Sequence, residues 1–396
     1  MSLNETPRGT RLHIGLFGKR NSGKSSLVNA LTNQQISVVS DIAGTTTDPV
    51  YKSMEIHGIG PVVFIDTAGF DDEGELGSKR ISRTKNALDK TDIAILVFGA
   101  RPDESDRQWV RDFNRQNTPF IPVINKTDII ENTAELEKEV VSLCKRDAVL
   151  VSAKTGEGID ALRNKLIGSV PDDFGDRTIT GELCADGDLV LLVMPQDIQA
   201  PKGRLILPQV QTLRELLDKK CLVMSCTTDR LEQTLKALSK PPRLIITDSQ
   251  VFKTVYEKKP TESRLTSFST LFAKYKGDID YFVESTRVLA GLNEGSKILI
   301  AEACTHVPLK EDIGREKLPR MLRARYGQGL RIENVNGQNF PDDLSDYDLV
   351  IQCGACMFNR RYVMSRVEKA KSQGVPMSNY GVVIAYLSGI LDKIDY

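Results

Sequence analysis

The chain has no surplus of charge of either sign. Lys plus Arg and Asp plus Glu number 53 each among 396 residues, so there is no overall basic footprint and nucleic acid is not an expected partner. No apolar run is long enough to span a membrane, and the opening MSLNETPRGTR lacks the pattern of a secretory signal. A cytoplasmic protein without membrane association is expected. Cysteines number seven and are scattered, which excludes a disulfide framework in such a compartment and leaves metal ligation or thiol chemistry for any functional ones. Histidine is scarcer still, three in all, so a histidine two residues from a cysteine stands out. There is no internal repeat and no low-complexity tract.

The length predicts two or three domains of roughly 100–200 residues, each able to bury a core. Up to about residue 168, strand-like runs (RLHIGLFG, PVVFID, IAILVFG, FIPVIN) alternate with helical patterns (SSLVNALTN, DRQWVRDFNRQ, IDALRNKLIG). This alternation predicts a mostly parallel sheet covered on both faces. SVPDDFGDRT then reads as a linker. A second segment repeats strand and helix with three clear strands, DLVLLVMP, CLVMSC and RLIITD. So small a sheet has edges to cover, by a homodimer or by helices of the same chain. After KKPTESRLTSFS, one long helix over FSTLFAKYKGDIDYFVESTRVLAGL is expected to lead into the strands KILIAEAC, YDLVIQC and VPMSN. The fold class is α/β with three α/β domains: a P-loop domain with a doubly wound sheet over 1–170, a small middle domain over 171–264 and a third over 265–396.

GKRNSGKS, residues 18–25, fits G-x-x-x-x-G-K-S between a strand and a helix, the context of a phosphate-binding loop. Gly18 and Gly23 let backbone N–H groups converge on phosphates, Lys24 adds a cation for the β- and γ-phosphates, and Ser25 offers a hydroxyl to Mg²⁺. Asn21, Ser22 and Ser26 complete the cradle at a helix N-terminus. DTAG follows the next strand, where Asp66 would hold Mg²⁺ through water and the Gly69 N–H would sense the γ-phosphate. NKTD places Asp128 to accept two hydrogen bonds from guanine, with Asn125 and Lys126 bracing the loop; adenine would leave that carboxylate unpaired. VSAK supplies Ser152, Ala153 and Lys154, with the Ala153 N–H expected on the guanine O6. Four motifs in this order define a GTP-binding, GTP-hydrolysing domain.

This segment resembles the TrmE–Era-like GTPases, whose switch G-T-T-x-D is matched by IAGTTTDP. The resemblance implies that Thr46 binds Mg²⁺ and senses the γ-phosphate, that Lys24, Thr46 and Gly69 carry catalysis, and that Asn21 ligates an activating K⁺. Ras-like enzymes orient the attacking water with a Gln after DTAG, where this chain has Phe70. Slow hydrolysis is therefore expected, with Glu73 and Glu75 either orienting water or simply solvated, and GTP acting as a conformational switch.

Near the other end, Cys304 and His306 follow one strand in EACTHVP, while Cys353 and Cys356 form a C-x-x-C after another in LVIQCGACMF. Ligands gather beyond the carboxyl ends of strands in open α/β sheets, so neighbouring strands would bring the four together. Cys356 is expected in the first turn of the following helix, where the dipole favours a thiolate. From the residues alone, buried thiols, a redox pair, a structural zinc site and an iron–sulfur cluster all remain open. Cys144, Cys184, Cys221 and Cys226 have no partner pattern and read as buried thiols.

A TrmE–Era-like domain, a small α/β domain and then C-x-H…C-x-x-C resembles, over the whole chain, the HydF family of FeFe-hydrogenase maturation GTPases. The resemblance implies a 4Fe–4S cluster on Cys304, Cys353 and Cys356 with His306 as a labile fourth ligand, and a middle domain that dimerises. It implies a scaffold or carrier that receives parts of a two-iron precursor from radical-SAM maturases and delivers it to apo FeFe-hydrogenase. Many members have a histidine directly before the C-x-x-C; here that position is Gln352. The competing functions are an RNA-associated GTPase of tRNA modification or ribosome assembly with a structural zinc, and a GTP-regulated redox enzyme.

Overall fold

The computed structural model describes residues 6–32, 50–67, 86–171, 174–175, 177–195, 205–303, 313–337 and 339–396. Thr46, Gly69, Phe70, Glu73, Glu75, Cys304 and His306 lie outside them. Contacts divide the chain into two compact units, Met1–Gly175 and Asp176–Tyr396. None of the described helices is long and apolar enough to cross a membrane.

The first unit runs β1 (Leu12–Phe17), α1 (Lys24–Thr32), β2 (Val50–Ile56), β3 (Gly60–Asp66), β4 (Ile93–Phe98), α2 (Glu104–Arg115), β5 (Phe120–Ile124), α3 (Thr133–Cys144), β6 (Val149–Leu150) and α4 (Ile159–Ile167). The sheet order is β2-β3-β1-β4-β5-β6. Every pairing is parallel except β2 against β3, at the edge. β1 and β4 are buried at every position, which is why they read as unbroken apolar runs rather than alternating ones. On one face Leu12, Ile14 and Leu16 pack with Leu27 and Leu31 of α1 and Leu162 of α4. On the other, Phe17, Leu96 and Phe98 meet Trp109 and Phe113 of α2 and Val140 of α3.

The second unit contains two parallel four-stranded sheets. The first has β7 (Leu189–Val193), α5 (Leu207–Asp218), β8 (Leu222–Cys226), α6 (Leu231–Ala237), β9 (Leu244–Thr247), α7 (Phe252–Lys258) and β10 (Arg264–Ser267), in the order β10-β9-β7-β8. After α8 (Phe268–Lys276) and α9 (Ile279–Glu284) comes the second, with β11 (Lys297–Ala301), α10 (Leu318–Tyr326), β12 (Arg331–Val335), β13 (Leu349–Gln352), α11 (Arg360–Ser372), β14 (Met377–Asn379) and α12 (Tyr380–Leu387), in the order β12-β11-β13-β14.

The edges of the first of these sheets differ. β10 is covered by the chain's last residues: the Asp395 N–H donates to Leu265 O at 2.8 Å, and Arg264 Nε donates to the Asp395 carboxylate at 2.8 Å. β8, at the other edge, presents Leu222 and Met224 to solvent, 58% and 41% exposed.

The long helix expected from Phe268 is two short α-helices followed by a 3-10 turn over Ser285–Gly291. Gly277 ends α8 in extended backbone, and the site is tight: a Cβ there would stand 2.4 Å from the Phe282 ring and 2.8 Å from Ala273 O. Asp278 then caps α9 by accepting the Tyr281 N–H at 3.1 Å. Helix α8 serves both sheets: Phe268, Leu271 and Phe272 pack beside Val190, Leu192 and Ile246, while Ala273 joins Leu299 and Val350.

Phe113 sits at the centre of an aromatic group beneath the phosphate-binding loop, with ring centroids 5.1 Å from Phe17 and 5.1 Å from Phe120. Phe113→Ala is expected to destabilise the first unit by about 3–5 kcal/mol. Urea unfolding followed by circular dichroism measures it, and an unchanged midpoint would mean that this group does not hold the unit together.

Candidate functional site

The phosphate-binding loop leaves β1 at Gly18, whose φ of 132° favours glycine and where a Cβ would lie 2.3 Å from Val97 O. Gly23 has φ 91°, and a Cβ there would meet Asn125 Nδ2 at 2.2 Å. Between them, exposed Asn21 takes φ 59° and Ser22 is buried. Lys24, the first residue of α1, is buried, and its Nζ donates to Gly18 O at 2.8 Å and Lys19 O at 2.7 Å. Ser25 and Ser26 are exposed, and Ser25 Oγ donates to Asp66 Oδ2 at 2.6 Å. Two of the three residues expected at Mg²⁺, Ser25 and Asp66, thus meet from α1 and the end of β3, while Thr46 lies outside the described residues.

Asn125, just beyond β5, joins the other loops. Its Nδ2 donates to Ser22 O at 3.0 Å, and its Oδ1 accepts the Ala153 N–H at 3.0 Å. That N–H, expected on a guanine O6, is therefore directed at Asn125 here. Ser152 Oγ donates to Asp128 Oδ1 at 2.8 Å and accepts the Thr155 N–H at 3.2 Å. Lys126 takes φ 66°, turning the chain so that Asp128 stands exposed, as does Lys154.

Sequence reading missed one anchor of this site. Lys19 Nζ lies 2.8 Å from Asp103 and 3.3 Å from Asp106 and donates to Arg101 O at 3.0 Å, fastening the loop to the start of α2. Burial works against the Asp103 charge, but hydrogen bonds from Lys19, Ser105 and the Asp106 N–H hold its carboxyl down at about 2. The legible part of the signal was D-x-x-D, a capping box in which Asp103 accepts the Asp106 N–H and Asp106 accepts the Asp103 N–H.

In the second unit, β11 and β13 are parallel neighbours with Ala301 opposite Gln352. The Cys353 N–H donates to Ala301 O at 3.0 Å, and the Ala303 N–H donates to Cys353 Sγ at 3.1 Å. The residue just before Cys304 in the chain therefore touches Cys353. Burial pushes the Cys353 thiol up, opposed by the N–H groups of Ala303 and Ala355 on its sulfur. Cys356 is not in a helical turn as expected: Asn359 caps α11 by accepting the Tyr362 N–H, so Cys356 stays in the loop before it, beside Ala355 at φ 45°. Cys353 and Cys356 are half-buried.

Lys276 Nζ donates to the carbonyls of Ala355, Cys356 and Phe358 from beneath this loop. Gln352, 1% exposed, has an Oε1 without a hydrogen-bond partner among the described residues. Two N–H groups directed at the Cys353 sulfur suit a metal-bound thiolate, so the residues present fit a thiolate-held cluster. Among the described residues no three metal-ligating side chains gather. Of the remaining cysteines, Cys144, Cys184 and Cys221 are buried as expected, whereas Cys226 is half-buried on edge strand β8.

Asn125→Ala would leave the Ser22 carbonyl and the Ala153 N–H unpaired, at about 1–3 kcal/mol for a buried group. GTP affinity is expected to fall about tenfold or more. Titration with a fluorescent GTP analogue checks this, and wild-type affinity would mean that Asn125 does not hold the three loops in register.

Three family models match. Residues 13–126 match the 50S ribosome-binding GTPase model, residues 179–277 the hydrogen maturase F dimerization domain and residues 280–394 the hydrogen maturase F tetramerization domain. Among curated proteins the chain is similar to GTPase Der of Wolinella succinogenes, 41% identical over 194 residues, covering 46% of this chain and 40% of that protein. It is similar also to tRNA modification GTPase MnmE of Prochlorococcus marinus, 39% identical over 162 residues, covering 39% of this chain and 34% of that protein. The chain thus spans well under half of either relative. A solved structure of an Aquifex aeolicus Era variant bound to GDP.AlF4- is 21% identical with a TM-score of 0.36 and covers 57% of this chain and 98% of that one. The first unit carries a GTPase domain, and the two hydrogen maturase F models together account for more than half of the sequence: the chain belongs to the hydrogen maturase F family, the GTPases of hydrogenase maturation.

Proposed function

We propose that this protein is a GTP-hydrolysing scaffold that binds a 4Fe–4S cluster and assembles or delivers the two-iron precursor of the FeFe-hydrogenase active site. The observation that carries the cluster reading is the Ala303 N–H at 3.1 Å from Cys353 Sγ. It sets Ala303, the residue before Cys304 in the chain, against the C-x-x-C loop. In this reading Cys304, Cys353 and Cys356 are the cluster thiolates, and the fourth position, at His306, a carboxylate or an outside ligand, stays exchangeable. A site with one open position can take up cargo and release it, which a closed four-thiolate site resists. Radical-SAM maturases and apo-hydrogenase are the proposed partners.

In the GTPase domain, residues 18–26 cradle the phosphates, with Lys24, Thr46 and Gly69 at the γ-phosphate. Ser25, Thr46 and Asp66 hold Mg²⁺, and Asn21, exposed at the lip of the loop, holds K⁺. Asp128 selects guanine, backed by Asn125, Lys126, Ser152, Ala153 and Lys154. With Phe70 after DTAG, hydrolysis is slow and GTP works as a switch. The middle sheet dimerises through β8: β10 is bonded to Asp395, whereas β8 has no neighbouring strand on its outer side among the described residues and exposes Leu222 and Met224.

Anaerobic reconstitution with iron and sulfide should give a brown protein with a 4Fe–4S electron paramagnetic resonance signal on reduction. Cys353→Ser should lose that signal and keep GTP hydrolysis within about twofold of wild type, since the thiol and the phosphate-binding loop lie in different units. A colourless protein retaining stoichiometric zinc would sink the cluster reading. For the dimer, the double variant Leu222→Lys, Met224→Lys should lower the oligomeric mass measured by light scattering; wild-type mass would exclude β8 as the interface.

A further inference from the structure

The cysteine loop is held from beneath by a residue that no metal-ligand pattern selects. Lys276 is the last residue of α8 and only 2% exposed. Its Nζ donates to Ala355 O at 3.2 Å, Cys356 O at 2.9 Å and Phe358 O at 2.7 Å. An ammonium has three N–H donors and a neutral amine two, so three carbonyl acceptors match the charged form. A buried charge is costly unless its hydrogen bonds are met, and here they are met by one short turn. Each peptide is planar and trans, so turning those carbonyls toward Lys276 turns the N–H groups of Cys356, Met357 and Asn359 to the other side of the loop.

A second contact ties the same helix end to the loop's exit. Arg360, the first residue of α11, donates from Nη1 to Gly277 O at 2.9 Å. The root of α8 lies in the other sheet. Ser267, the last residue of β10, caps the helix by accepting the Thr270 N–H at 3.1 Å, and Phe268, Leu271 and Phe272 are packed in that sheet's core. Lys276 falls within the dimerization-domain match, 179–277, while the loop it holds falls within the tetramerization-domain match, 280–394.

We infer that Lys276 is the positioning residue of the cysteine loop: it fixes the turn that carries Cys353 and Cys356 and sets a buried positive charge beneath a thiolate-bound cluster. Retention and potential of the cluster then depend on a helix rooted in the dimerization domain. The inference rests on the cluster reading of this loop. Net charge and hydrogen bonding around the sulfurs are what set a cluster's potential.

The test compares wild type, Lys276→Met, which keeps the bulk and loses charge and donors, and Lys276→Gln, which loses the charge and keeps two donors. All are reconstituted anaerobically in the full chain, with circular dichroism and GTP hydrolysis reporting that each is folded. In Lys276→Met the cluster should be lost to an iron chelator about tenfold faster than in wild type, with Lys276→Gln between the two. In both variants the reduced-to-oxidised ratio at a fixed potential should fall about tenfold, a midpoint lower by about 59 mV for a one-electron couple. Failure of wild type to take up iron and sulfide would refute the cluster reading itself. A wild type that loads, beside variants with the same retention and midpoint, would overturn the role of Lys276 alone. If Lys276→Met does not fold, a wild-type midpoint in Lys276→Gln overturns it equally.

Discussion

Parallel strand pairing places both candidate sites. In a parallel pair the carboxyl ends of neighbouring strands lie at the same end, so the loops leaving them must crowd together. β1 beside β3 brings Gly18 and Asp66 into one region, and β4 beside β5 brings Asn125 there too, its N–H bonded to Phe98 O. β11 beside β13 does the same for Ala303 and Cys353. Parallel sheets need both faces covered, and the helices that cover them supply the second half of each site: the start of α1 for the phosphates and the end of α8 for the cysteine loop.

What crowds the loops together does not fix their shapes. In the GTPase domain that work falls to Asn125 and Ser152, side chains that replace backbone contacts between loops with no regular partner. In the second unit it falls to Lys276, which acts on carbonyls rather than side chains. Both devices use buried polar groups with their hydrogen bonds met, which specify one arrangement where apolar packing would allow several.

The GTPase motifs were legible because each is contiguous, and in the phosphate-binding loop the chemistry comes largely from backbone geometry at Gly18 and Gly23. The strands β11 and β13 were legible as apolar runs, and their adjacency gave the cysteine loop its place. Two edge strands were not: RLTS at β10 and RIENV at β12 are short and polar, and Arg331 and Glu333 face solvent as charged edge residues do. The break between α8 and α9 was hidden because Gly277 sits in an otherwise helical pattern, and only the fold shows Asp278 capping a new helix after it. Lys19 and Lys276 were missed for one reason. A lysine in sequence looks like a solvated charge, and only tertiary contacts show which of them is held by distant partners.

The sequence holds a single tryptophan, and Trp109 packs with its ring centroid 4.7 Å from Phe17, the residue immediately before the phosphate-binding loop. Intrinsic fluorescence excited at the red edge therefore comes from the GTPase unit alone. The protein carries its own optical label for that unit. Its emission can follow events at the nucleotide loop while the absorbance of an iron–sulfur chromophore, where one is bound, follows the other unit in the same cuvette.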